Sequence, residues 1–145
     1  MWAIFEGLDK AGKTTLEWSF LKATGYNHIT IDRGPAGYKT FNEVFGRASE
    51  EAIEEFDKQA KNVNADDSFF VVYCKAAPEI AHKRLKAHNE DLPYDYVKAQ
   101  KTLDENVLSM YDKRKVLVVD TSKTIEECTE EIVQFMDSLK SKRQF

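Results

Sequence analysis

The chain has 145 residues, of which 42% are hydrophobic and 32% charged, with a formal net charge of -4. A chain of this size buries roughly two-thirds of the surface it exposes when unfolded, enough for one core and with no need of a second. The acidic balance excludes a general grip on nucleic acid, which needs a basic face to displace phosphate counterions; no apolar run approaches the roughly 18 residues of a membrane span, and "MWAIFEG" lacks the regions of a signal peptide, so a cytoplasmic protein without membrane contact is expected.

In chain order, the first apolar run is "WAIFE", Trp2 to Glu6, a strand by its β-branched and aromatic content. The loop "GLDKAGKTT" follows and leads into a helix. Gly7, Gly12, Lys13 and Thr14 match the pattern G-x-x-x-x-G-K-[ST] between a strand and a helix, the context that marks a phosphate-binding P-loop. Glycines let the backbone curl so that several N–H groups point inward, and the helix adds its positive end. Lys13 is then expected to reach the β- and γ-phosphates of a nucleotide, and the Thr14 hydroxyl to ligate Mg²⁺. A glycine turn that merely contains GKT is the plain alternative.

A second strand is expected at "HITID", His28 to Asp32, followed by "RGPAGYKTFNEVFGR". Gly34, Pro35 and Gly37 mark a sharply turned entry into a segment in which Tyr38, Phe41 and Phe45 either stack on a flat ligand or form a buried helix face. The acidic stretch "ASEEAIEEFDKQAK" reads as a solvated helix. "FFVVYC", Phe69 to Cys74, and "VLVVD", Val116 to Asp120, are nearly continuous in apolar residues, as strands covered on both faces are. Between them Pro78 opens the helix "PEIAHKRLKAH". After the last strand "TIEE" is a capping box at Thr124, and Ile125, Cys128, Ile132, Val133, Met136 and Leu139 form one apolar stripe. Cys74 and Cys128 share no metal-ligand spacing and read as reduced, buried thiols. His28, His82 and His88 have no partner constellation and read as surface or helix-flank residues. The alternation of four strands with helices predicts an α/β three-layer sandwich with a mostly parallel sheet of about four strands.

Residue by residue, "FEGLDKAGKTT" resembles the P-loop of the thymidylate kinase family, FEG-x-D-x-x-GKTT. "IDRG" at Ile31 to Gly34 resembles that family's strand-end DR motif. "YCKAAPEIAHKRLKAHNED" resembles its strand, Pro-Glu helix start and lid entrance, and "VLVVDTSKTIEECTEEI" its last strand and helix, whose loop lies near the donor's base. The resemblance implies one P-loop nucleotide kinase-like domain over 1–145, with a lid near 83–98. It also implies ATP and Mg²⁺ as cofactors, a small nucleotide as substrate and a homodimer.

The same resemblance implies roles. Gly7, Gly12, Lys13, Thr14 and Thr15 would hold the donor phosphates, and Thr14 and Asp32 the Mg²⁺. Arg33 would hold the acceptor phosphate with its planar fork, and Asp9 would accept from the acceptor's sugar hydroxyl. Phe41 and Asn42 stand at the place of the family's Tyr-Gln pair, and Arg47 would add a charged contact to the acceptor. Lys10, inside the P-loop, and Arg84, in the lid helix with Lys83 and Lys86, would cover charge on the migrating phosphoryl group. For each there is a plain reading beside this one: Asp9 as a turn residue, "DR" as an exposed ion pair, the basic helix as a solvated face.

The family carries a further strand and helices, with an Arg-Glu-Pro-Gly motif, between the first helix and the DR strand. Here only "ATGYNHIT" fills that space, so part of the acceptor pocket is missing. Deoxynucleoside kinases share the design and draw a general base from that same strand. The expected activity is ATP-dependent phosphorylation of a deoxynucleoside monophosphate, with dTMP first. A kinase of deoxynucleosides or other small hydroxyl compounds and a non-catalytic nucleotide-binding accessory protein remain as alternatives.

Overall fold

A computed structural model describes residues 1–87, 92 and 94–142. His88 and most of the expected lid tip lie outside the described residues.

The loop-forming and strand-forming segments fall where their residues place them. Strands β1 (Trp2–Glu6), β2 (Ile29–Asp32), β3 (Phe69–Lys75) and β4 (Val116–Asp120) form one fully parallel sheet in the order β2-β1-β3-β4. The register aligns Trp2 with both Ile29 and Phe69, and Val71 with Val116. Helices α1 (Lys13–Ala23), α2 (Pro35–Val44), α3 (Glu50–Ala65), α4 (Pro78–Ala87), α5 (Tyr96–Met110) and α6 (Ile125–Lys142) fill the connections.

The two faces of the sheet are covered by different helices, which gives the three-layer sandwich. Because side chains alternate along a strand, Phe70, Val72 and Cys74 of β3 join Phe5 of β1, Phe20 of α1, and Cys128, Ile132 and Met136 of α6. Phe20 is fully buried with its ring 6.2 Å from Phe5 and 6.1 Å from Phe70. On the other face Val71 and Tyr73 join Ile4, Ala36 of α2, Ala60 and Val63 of α3, and Leu103 and Val107 of α5. The stripe expected on α6 is buried at Cys128, Ile132 and Met136, half-buried at Val133 and Leu139, and exposed at Ile125. Ile125 is the first residue of α6, and there it faces the cavity described below rather than the sheet.

Caps fix where the helices start. The Thr124 hydroxyl accepts from Glu127 N–H at 3.1 Å, and Ser49 and Asp95 accept likewise from Ala52 and Lys98. The acidic stretch is α3, mostly exposed and burying only Ala60 and Val63. Its last carbonyls, Val63 and Asn64, and that of Asp66 just beyond accept from the buried ammonium of Lys115. β2 pairs only with β1 and forms one edge of the sheet, so the additional family strand has no counterpart among the described residues. Both cysteines are free and buried. Among the described residues no helix is long and apolar enough to cross a membrane. His28 is half-buried rather than on the open surface, with Nδ1 2.9 Å from the Met1 amine.

Candidate active site

All four strands run the same way, so the connections leaving β1, β2, β3 and β4 open on one edge of the sheet. A cavity of about 800 Å³ lies there, lined by Asp9, Lys10, Gly12, Lys13, Thr14, Thr15, Asp32, Arg33 and Arg84, together with Thr121, Lys123 and Ile125. Residues from three separate segments, the Gly7–Gly12 loop, the turn after β2 and α4, therefore line one cavity.

The loop from Gly7 to Gly12 is fixed by its surroundings. Gly7 has φ 155, and a Cβ on it would stand 2.8 Å from the backbone oxygen of Cys74, so no larger residue fits between β1 and β3 here. Leu8 and Ala11 are fully buried, and Ala11 N–H donates to the Leu8 carbonyl at 3.1 Å. Lys13 opens α1, and its side chain is only 9% exposed, with Nζ 3.0 Å from Asp32 Oδ1 at the end of β2. An ammonium has three donors, so Lys13 can address Asp32 and a phosphate oxygen together.

Asp32 has a second neighbour that no motif announces. Glu17, one turn along α1, is 8% exposed; burial first, then the nearby Asp32 carboxylate, push its carboxyl up to about 7. A charged residue one helical turn after a P-loop lysine is the only trace of it in the sequence.

After β2, Arg33 has φ 70, a left-handed backbone conformation in a residue with a long side chain. Its guanidinium stacks over the Phe41 ring at 4.0 Å and lies 3.8 Å from Asp9. Asp9 also accepts from the Tyr94 hydroxyl at 3.0 Å, and the Tyr94 ring meets Phe41 and Phe45 edge-on at 5.5 and 5.9 Å. A second cavity of about 200 Å³ is lined by Arg33, Phe41, Asn42, Phe45 and Arg47. Phe41 and Phe45 thus wall the small cavity, Phe41 packing against the core as well, while Tyr38 stacks on Phe56 of α3 and leaves the site. Asn42 lines the small cavity, and its amide donates to the Tyr38 carbonyl within α2.

Arg84, expected to cover charge on the migrating phosphoryl group, lines the large cavity and is tied to its rim. Its guanidinium donates to the carbonyls of Lys10 and Thr121, both at 2.8 Å, and lies 3.5 Å from Thr121 Oγ1. The two terminal nitrogens thereby tie the P-loop to the β4–α6 turn. The solvated-face reading of Arg84 is also excluded by these bonds. Lys10 lines the large cavity with φ 63, and its carbonyl is the one that Arg84 holds.

The fold that carries this cleft is that of the P-loop kinases, an α/β sandwich with a parallel sheet and the glycine-rich turn after its first strand. Two solved structures share it over nearly the whole chain. The deoxyadenosine kinase from M. mycoides with bound dCTP matches with a TM-score of 0.61 at 15% identity, over 95% of this chain and 100% of that one. The same enzyme with bound dATP matches with a TM-score of 0.57 at 16% identity, over 94% and 100%. No family model matches the chain, and no curated protein does.

Proposed function

We propose that this protein transfers the γ-phosphoryl group of ATP to a small deoxynucleoside acceptor. The observation that carries the reading is the shared cleft, in which a P-loop with a buried lysine faces an arginine seated on an aromatic wall. Donor phosphates fit the Gly7–Thr15 turn, held by main-chain N–H groups and Lys13. The Thr14 hydroxyl and the Asp32 carboxylate are hard oxygen donors, suited to a Mg²⁺ that takes most of its remaining ligands from phosphate and water. When bound, Mg²⁺ neutralises charge on the β- and γ-phosphate oxygens.

The acceptor is a monophosphate in this reading, with dTMP first. Arg33 and Arg47 both border the smaller cavity, and two cations beside a flat aromatic wall suit an anionic nucleotide. A phosphate acceptor is a good nucleophile near neutral pH, so Asp32 orders the cation and the attacking oxygen rather than removing a proton. The second reading, a deoxynucleoside kinase, is favoured by the solved structures that share the fold, which are deoxyadenosine kinases. It requires a general base, and Asp32, which lines the cavity and pairs with Lys13, is the carboxylate we assign to that work.

Incubation with Mg²⁺ and ATP against the four deoxynucleoside monophosphates and the corresponding nucleosides, with products read by mass spectrometry, tests the proposal. A diphosphate product supports the nucleotide kinase; a monophosphate product moves the assignment to the nucleoside. Asp32→Asn then separates the two chemistries, since loss of a general base is far more damaging than loss of one cation ligand. Lys13→Ala abolishes turnover under either, by about a thousandfold or more. Tight ATP binding without any product would make the chain a nucleotide-binding accessory protein.

A further inference from the structure

One buried charge has no role in the reaction as described. Glu6 closes β1, is fully buried, and lines neither cavity. Its carboxylate collects donors from elsewhere in the chain: Gly34 N–H at 2.9 Å, Gly37 N–H at 3.1 and 3.0 Å to its two oxygens, and the Tyr111 hydroxyl at 2.7 Å. Gly34 is the N-cap of α2 and has no side chain to satisfy the first turn. Glu6 supplies that cap from the neighbouring strand.

The residue just before this capped turn is Arg33, held in its left-handed backbone conformation. Such strain in a long side chain persists only where the surroundings over-determine it. The Arg33 stem then crosses over Gly37, where a Cβ would lie 2.6 Å from Arg33 Cγ and 2.5 Å from Glu6 Oε1. Only beyond that crossing does the guanidinium reach Phe41. We propose that Glu6 is a positioning residue, which fixes the Arg33–Gly37 turn from beneath α2 and thereby aims the Arg33 guanidinium at the acceptor. The proposal rests on the kinase reading above. A carboxylate suits the task because all three partners donate, and the two backbone N–H groups cannot reverse; an amide in its place turns one of its own donors on them.

The test compares wild type with Glu6→Gln, Gly37→Ala and Tyr111→Phe. Arg33 Nε is buried with no hydrogen-bond partner among the described residues, so its N–H resonance in ¹⁵N NMR reports the Phe41 ring beside it. Arg33→Lys assigns that resonance. Glu6→Gln and Gly37→Ala are expected to move it towards the random-coil position and to raise the acceptor KM about tenfold or more, with kcat and the MgATP Kd changed less than about twofold. Tyr111→Phe, which leaves the Gly34 and Gly37 N–H groups on Glu6 and removes only the longer 3.5 Å bond from Ala36 N–H to the Tyr111 oxygen besides the bond to Glu6 itself, gives a smaller displacement. If Glu6→Gln does not fold, Gly37→Ala decides, because it keeps the carboxylate in the chain but crowds both its Oε1, at 2.5 Å, and the Arg33 stem, at 2.6 Å. A folded variant of either kind that keeps the Arg33 resonance and the acceptor KM overturns the proposal. Should wild type phosphorylate no acceptor, the kinase reading fails alone, and the resonance still decides what Glu6 does.

Discussion

Removing the Arg84 guanidinium, as Arg84→Met, puts a number on the tie between the P-loop and the β4–α6 turn. The side chain keeps its apolar stem but loses two 2.8 Å bonds to the carbonyls of Lys10 and Thr121. Bonds from a charged donor contribute about 1.5–3 kcal/mol each, and both sites are part-buried, so water recovers some of the loss. The net cost is then about 2–3 kcal/mol. At about 1.4 kcal/mol per factor of ten, the competent arrangement of the cradle loses a factor of about 30 to 150 against relaxed ones. Apparent affinity falls with the competent fraction, so the MgATP Kd rises by about tenfold or more, up to that ceiling. The melting temperature drops by about 4–12 °C for a chain of this length. Isothermal titration calorimetry with MgADP and MgATP, together with a thermal melt, measures both. If Arg84→Met binds MgATP within about twofold of wild type and melts at the same temperature, the two bonds do not organise the cradle. A large fall in kcat with unchanged nucleotide affinity would instead restore Arg84 as a cation acting on the migrating phosphoryl group.

Two further outcomes are expected. Glu17, raised by burial from 4.5 to about 7, keeps in the folded protein a proton that the unfolded chain releases near 4.5. Its stabilisation is therefore full below about pH 4.5 and is lost as pH rises through about 7. Urea titrations without nucleotide or Mg²⁺ should show this fall between pH 5 and 7 as the difference between wild type and Glu17→Gln, and parallel pH profiles would refute it. Gly7→Ala forces a Cβ to within 2.8 Å of the Cys74 oxygen at a φ that side chains rarely adopt, and costs about 3 kcal/mol. A melting temperature within about 2 °C of wild type would show that β1 and β3 part more easily than their register implies.

The sequence by itself determined the order of the four strands and the motif. The four strands lie at "WAIFE", "ITID", "FFVVYCK" and "VLVVD", because each is a short β-branched or aromatic run bounded by turn residues, and that is local information. The P-loop was equally legible, since its glycines, lysine and threonine act within one turn of chain. Only the tertiary structure decided what those residues meet. Arg84 is a free cation or a clamp depending on where α4 lands, and it lands against Lys10 and Thr121, residues 74 and 37 positions away along the chain. Phe41 and Phe45 wall a cavity because the stretch just before α5 brings Tyr94 to their edges. Glu6 carries no motif at all; its part in the site exists because parallel pairing sets β2 and the start of α2 beside the end of β1, where three distant donors converge on one carboxylate. Local propensity writes strands and turns into adjacent residues, while a hydrogen bond between distant segments depends on packing free energy spread over the whole core, which no short stretch of sequence contains.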